Sequence, residues 1–193
     1  MRKLAVLVLI VLASVAIPRA SQAQGITVTP TIGFYVPGDD FDALREGTDS
    51  VFIKKEGAFA MGFNVDLGFL RGSLAYATSA TIKPTRITGE IGDAKVLAAA
   101  ADFVLRPLPR LVVQPYALLG GGLRRESYSY DDDGFNAFPK TDSDFAVHLG
   151  LGADVNLGRV GISAEITDFI SQDANDDWKR HDGFGFVGLK LRI

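Results

Sequence analysis

The stretch "DFAVHLGLGADVNL", residues 144–157, decides the fold. Phe145, Val147, Leu149, Leu151, Val155 and Leu157 alternate there with Asp144, Ala146, His148, Gly150, Gly152, Asp154 and Asn156. A period of two marks a strand, because successive side chains point to opposite faces. One face carries large aliphatic and aromatic groups. The other is small and polar with isolated charges. The rest of the chain has to say what each face meets.

Seven other segments repeat the pattern. "GITVTPTIGFYVP" places Ile26, Val28, Ile32 and Phe34 on one face, interrupted by Pro30. "GAFAMGFNVDLGF" aligns Phe59, Met61, Phe63, Val65, Leu67 and Phe69. "SLAYATSATI" follows with Leu74 and Tyr76. "AKVLAAAADFVLRP" puts Leu97, Ala99, Ala101, Phe103 and Leu105 together; its alanine run alone would also suit a helix, but its length and neighbours favour a strand. "LVVQPYALLGGGL" contributes Val113, Ala117, Leu119 and Leu123, with a Pro115 that cannot donate to a ladder. "VGISAEITDF" and the closing "GFGFVGLKLRI", residues 183–193, complete eight.

Short connections lie near Arg71, at residues 106–110 and at Gly158 and Arg159. Long polar ones cover about residues 37–56, 80–93, 124–143 and 170–182. Strict alternation of short and long connections makes an up-and-down meander with every short turn at one end. That is the pattern of a transmembrane β-barrel, with short periplasmic turns and longer extracellular loops. An eight-stranded soluble barrel would turn the apolar face inward instead. The second face here is mostly Gly, Ala, Ser and Asn, which suits a narrow lumen better than a water-exposed surface. In lipid every backbone group must be paired, so the sheet has to close. The expectation is all-β: an eight-stranded antiparallel up-and-down transmembrane barrel.

The N-terminus supports export. "MRKLAVLVLIVLASVAIPRASQAQ" has basic Arg2 and Lys3, then an apolar run from Leu4 to Ile17, shorter than the ~20 residues of a membrane helix. Ser21 and Ala23 fit the −3 and −1 positions of a cleavage site. Residues 1–23 are therefore expected to be a signal peptide, and residues 24–193 the barrel domain. The chain has no cysteine, hence no lipoprotein acylation site and no disulfide. Without Arg2, Lys3 and Arg19, about 17 basic residues face 23 acidic ones, and no basic stripe points to nucleic acid.

The export signal, the eight strands, the turn and loop alternation and the alternating last strand together resemble the small outer-membrane β-barrels of Gram-negative bacteria, the OmpA, OmpX and OmpW type. "LVVQPYALLGGGL" is similar to the Pro-Tyr-x-x-x-Gly-x-Gly strand common in that group. Members usually end on Phe or Trp, and this chain ends on Ile193. The resemblance implies an outer-membrane location reached by Sec-type export. Its partners would be outer-membrane lipids, lipopolysaccharide and the barrel-assembly machinery, and the protein would be a monomer.

On this orientation the lumen receives Asp66, Asp102, His148, Asp154, Glu165, Lys190 and Arg192. Desolvated charges need partners. The spacing therefore predicts a structural network, with Asp66, Asp102 and Asp154 ringing the short-turn end and Lys190 and Arg192 as its cations. A rearranging network would instead make a narrow ion path. Catalysis is not expected. The two histidines are His148, with Ser163 possible across a turn, and His181, placed in the last long loop. Neither has the spacing of a serine–histidine lipid hydrolase. No cofactor or metal site is expected. Asp173, Asn175 and Asp177 have EF-hand spacing, but Trp178 and Phe184 stand where Gly and Glu belong. The acidic loops, with Asp131, Asp132 and Asp133 in a row, suit loosely held divalent cations, lipopolysaccharide bridging or adhesion. Tyr35, Phe69, Tyr76, Phe169 and Phe184 are expected in interfacial girdles. The expected role is structural, adhesive or that of a narrow pore. A carrier or channel for small hydrophobic molecules, OmpW-like or a soluble lipocalin-like barrel, is the first alternative, and a lipid-modifying outer-membrane enzyme is the second.

Overall fold

Period-two alternation and tight glycine turns build a wall that closes on itself. A computed structural model describes residues 25–38, 42–46, 49–84, 92–108, 111–130, 141–172 and 178–193. The expected signal segment lies outside them. Ten strands and no helix form among the described residues: β1 (Thr27–Pro37), β2 (Asp42–Glu46), β3 (Asp49–Lys55), β4 (Ala58–Leu67), β5 (Leu70–Pro84), β6 (Gly92–Leu105), β7 (Val113–Tyr130), β8 (Thr141–Leu157), β9 (Val160–Gln172) and β10 (Trp178–Arg192).

Eight of them make the barrel. Starting from β1, the order runs through β10, β9, β8, β7, β6, β5 and β4 and returns to β1, every pair antiparallel. The seam joins Val28 to Leu191, Ile32 to Val187 and Val36 to Gly183. It is extended by Ile193 N–H donating to Ile26 O at 2.8 Å. Two-residue turns link β4 to β5 and β8 to β9. Gly68 (φ 71°) and Gly158 (φ 86°) supply the left-handed backbone such turns need.

The long connections are shorter than the sequence suggests. β2 and β3 form a hairpin within 37–56, and β3 prolongs the line of β4 against upper β5, with Lys55 opposite Ile82. β7 continues to Tyr130 and β8 starts at Thr141, with Ser127 paired to both Thr141 and Lys95. The β7 and β8 extensions are polar on both faces and leave no hydrophobic alternation to read. They stand above the apolar band, where the outer face no longer needs to be greasy. The acidic run Asp131–Asp133 and the EF-hand-like Asp173, Asn175 and Asp177 lie outside the described residues.

The apolar face points outward. Leu151, Ile166 and Val187 keep 62%, 64% and 55% of their surface exposed, and similar residues ring the barrel. Apolar surface of that extent is not found on a water-soluble monomer. A soluble ligand-carrying barrel would have the reverse arrangement. One expectation fails: Tyr35, Phe169 and Phe184 are buried in the lumen, not set in a girdle. Each lies an odd number of residues from a lipid-facing neighbour (Phe34, Ile166 and Val187), and strand parity therefore turns it inward. Phe69 is exposed and stacks on Phe103 at 6.1 Å near the short turns.

Candidate functional site

The inward residues of β10, read upward from the short-turn end, give the plan of the lumen: Lys190, Gly188, Phe186, Phe184, Asp182, Arg180. Charge lies below, aromatics in the middle and charge above.

The lower layer is centred on Arg71, a buried β5 residue. Its Nε lies 2.8 Å from Asp66 Oδ1, its Nη2 lies 3.3 Å from Asp66 Oδ2, and its Nη1 lies 2.7 Å from Glu165 Oε2. Asn64 Nδ2 and Tyr116 Oη also donate to Glu165, at 3.0 and 2.7 Å. Arg106 donates to Asp66 at 3.2 Å and lies 3.8 Å from Asp154, which Lys190 also binds. The Arg71 and Arg106 guanidinium carbons sit 4.9 and 5.7 Å from the Tyr116 ring centre. Three carboxylates (Asp66, Asp154, Glu165) thus meet three cations (Arg71, Arg106, Lys190). Matching of this kind is what a desolvated interior demands.

Above it Asp102 accepts from His148 Nδ1 at 2.7 Å and from Ser73 Oγ at 2.8 Å. The His148 ring stacks on Phe169 at 4.1 Å, Phe169 meets Phe184 edge-on at 5.9 Å, and Phe184 stacks on Phe186 at 5.6 Å. The three phenylalanine rings come from β9 and β10. They pack into one core cluster with Ala75, Ala77, Ala80, Ala94, Ala98 and Val96 of β5 and β6. Large groups from one wall fill the space left by small groups on the other.

The upper layer pairs Arg124 with Asp182 and Glu126. Arg180 reaches Glu126 and Asp142, each at 2.6 Å, and the Tyr128 hydroxyl at 3.0 Å. The Tyr35 hydroxyl donates to Asp182.

The seven residues singled out in the sequence are therefore distributed unevenly. Asp66, Asp154, Glu165 and Lys190 come together in the lower layer. Asp102 and His148 form a separate pair one level up. Arg192 is exposed at the short-turn rim and enters none of the ion pairs among the described residues. Arg71, Arg106 and the whole upper layer were not anticipated. Arg71 was legible, since it mirrors Asp66 across a two-residue turn. The upper layer was not, because 124–143 and 170–182 read as loop. His181 is not in a loop either: it lies in β10 on the outer face, its Nδ1 2.7 Å from Asp168 Oδ2.

Comparison with known proteins agrees with this geometry. No curated protein sequence matches the chain. Among solved structures, the Pseudomonas aeruginosa outer membrane protein OprG superposes with a TM-score of 0.59 at 14% identity, covering 88% of this chain and 97% of that one. Neisserial surface protein A superposes with a TM-score of 0.54 at 13% identity, again over 88% and 97%. These likenesses support the barrel fold. The model of the outer membrane protein beta-barrel domain matches residues 5–187. With that match spanning nearly the whole length, the chain belongs to the outer membrane protein beta-barrel domain family.

Proposed function

We propose that the protein is a sealed outer-membrane barrel that anchors in the membrane and displays its long connections at the cell surface, a structural and adhesive role rather than that of a pore. The lumen carries this reading: two salt-bridged layers enclose an aromatic layer, and no single side-chain rotation clears all three. Polar outward residues above the apolar band, including Lys95 and Arg125, suit a collar standing clear of the lipid. Signal cleavage near Ala23, passage through the barrel-assembly machinery, contact with lipopolysaccharide and a monomeric state belong to the same proposal. So does the absence of catalysis. Ser73 donates to Asp102 and Ser163 pairs with the Tyr116 hydroxyl, so neither serine is set against His148 as a nucleophile among the described residues.

Conductance in a planar bilayer tests the seal. Reconstituted protein is expected to give no stepwise openings. Reproducible unitary currents, absent from a heat-denatured control, would reject it in favour of an ion path.

A further inference from the structure

The two ends of the barrel meet their surroundings differently. At the long-loop end the outer face turns polar above the apolar band, with Lys95 and Arg125 exposed. The short-turn end has no such collar among the described residues. Ile26, Phe69, Leu105, Val112, Leu157 and Ile193 stand around its edge and all are exposed, Val112 to 67% and Leu157 to 62%. Phe69 is itself a turn residue, and Val112 lies just before β7. Apolar surface that continues into the turns sets this rim at the depth of the lipid headgroups rather than in open water.

Two guanidinium groups stand on that rim. Arg159 lies in the turn between β8 and β9, and Arg192 ends β10. The Arg192 N–H donates to the Arg159 carbonyl at 2.9 Å, so the two residues adjoin. Both are exposed, and neither side chain enters an ion pair among the described residues. The neighbouring carboxylates are already engaged: Asp66, Asp154 and Glu165 are buried and held by Arg71, Arg106 and Lys190. No Asp or Glu side chain is exposed at this end among the described residues. Counting the main-chain carboxylate of Ile193 still leaves the pair net positive. An arginine does not lose its charge in a protein, and its stem can lie along apolar surface while the head reaches a polar layer.

We infer that the Arg159–Arg192 rim binds the phosphate of an anionic phospholipid, a phosphoglycerol, in the periplasmic leaflet around the short turns. A guanidinium offers a phosphate two parallel N–H donors. The acyl chains run along the exposed side chains of Leu157, Val160 and Leu189. A phosphoethanolamine carries the same phosphate but adds an ammonium, and the rim has no exposed acidic side chain to receive it. An acidic cell-wall peptide would match the charge but not the apolar residues that surround it. The inference deepens the membrane-anchoring part of the proposed function and rests on it. The sealed lumen is independent of it.

Native mass spectrometry of the folded full barrel, released from detergent micelles, tests it. The probes are phosphatidylglycerol, phosphatidylethanolamine with identical chains and soluble peptidoglycan fragments. Phosphatidylglycerol is expected to be retained about tenfold better than phosphatidylethanolamine. Replacing both arginines, Arg159→Gln with Arg192→Gln, should abolish that preference, whereas Lys95→Gln at the opposite end should leave it intact. The gel mobility shift on boiling, which reports the folded barrel, should persist in every variant. Insertion into phosphatidylcholine vesicles should persist too, which separates anchoring from lipid selection. Equal retention of the two phospholipids, an unchanged preference in the double variant, the same loss in Lys95→Gln, or peptidoglycan fragments displacing phosphatidylglycerol overturns the assignment.

Discussion

Arg71 faces Asp66 across the two-residue turn between β4 and β5, and the same guanidinium spans the lumen to Glu165 on β9, the strand diametrically opposite. One cation therefore ties two carboxylates on opposite walls. Arg71→Met keeps the bulk and removes the charge, leaving Glu165 with neutral partners only. The expected loss of stability is about 3–5 kcal/mol, read from urea unfolding in detergent. Adding Glu165→Gln should recover part of it, because the stranded charge is then removed.

Lys190 and Arg192 share a strand face but not a role. Lys190→Ala strands Asp154 with only the longer Arg106 contact and should cost about 3 kcal/mol. Arg192→Ala should stay within about 0.5 kcal/mol of the parent, as exposed substitutions do. Equal melting temperatures for the two variants would argue against a lumen network that depends on Lys190.

The outward face can be probed by depth. Leu151 lies midway along β8, and Leu151→Arg should cost about 2–4 kcal/mol in bilayers; Phe145→Arg, near the upper edge, should cost at most about 1 kcal/mol. Folding titrations in lipid vesicles measure both. The reverse ranking would misplace the apolar band.

Phe184 touches Tyr35, Phe169 and Phe186 at the centre of the aromatic layer. Phe184→Ala should cost about 3–5 kcal/mol. It opens space bounded above and below by ion pairs, so the variant should still not conduct. Conductance in this variant would place the barrier in the aromatics rather than in the charges.

Gly120 and Gly72 separate packing from flexibility. A methyl group at Gly120 would collide with the Ala101 carbonyl and the Asp102 backbone, whereas one at Gly72 meets nothing within 4 Å. Gly120→Ala is expected to lose about 1–3 kcal/mol or more, and Gly72→Ala to gain about 0.4–1 kcal/mol through a less flexible unfolded chain. Paired unfolding curves give the comparison.

How much could be read beforehand depended on contrast between faces. Where Phe145, Val147, Leu149 and Leu151 alternate with Ala146, His148 and Gly150, strand, orientation and lumen set were all legible. Where Arg124, Glu126 and Tyr128 alternate with Arg125, Ser127 and Ser129, both faces are polar and the strand was invisible. The upper ion layer vanished with it. Arg106 was hidden for another reason: it follows the last residue of β6 and enters the lumen from a turn, where parity no longer applies. The aromatics Tyr35, Phe169 and Phe184 were misplaced because residue type was weighed over parity. The Asp168–His181 pair was missed because His181 was placed in a loop, when β10 already extends past it.

The seam between β1 and β10 has a kinetic consequence. Its ion-layer contact, Tyr35 with Asp182, joins positions 147 apart in sequence, whereas every other barrel pairing joins neighbours in the meander. Hairpins can form early at small entropic cost, but closure must wait until both outer strands arrive, and the loop-closure entropy is met before any seam contact repays it. Until then β1 and β10 each expose an unpaired edge, which in lipid is the least tolerable state of a sheet. Zipping that seam is the step at which assembly becomes all-or-none.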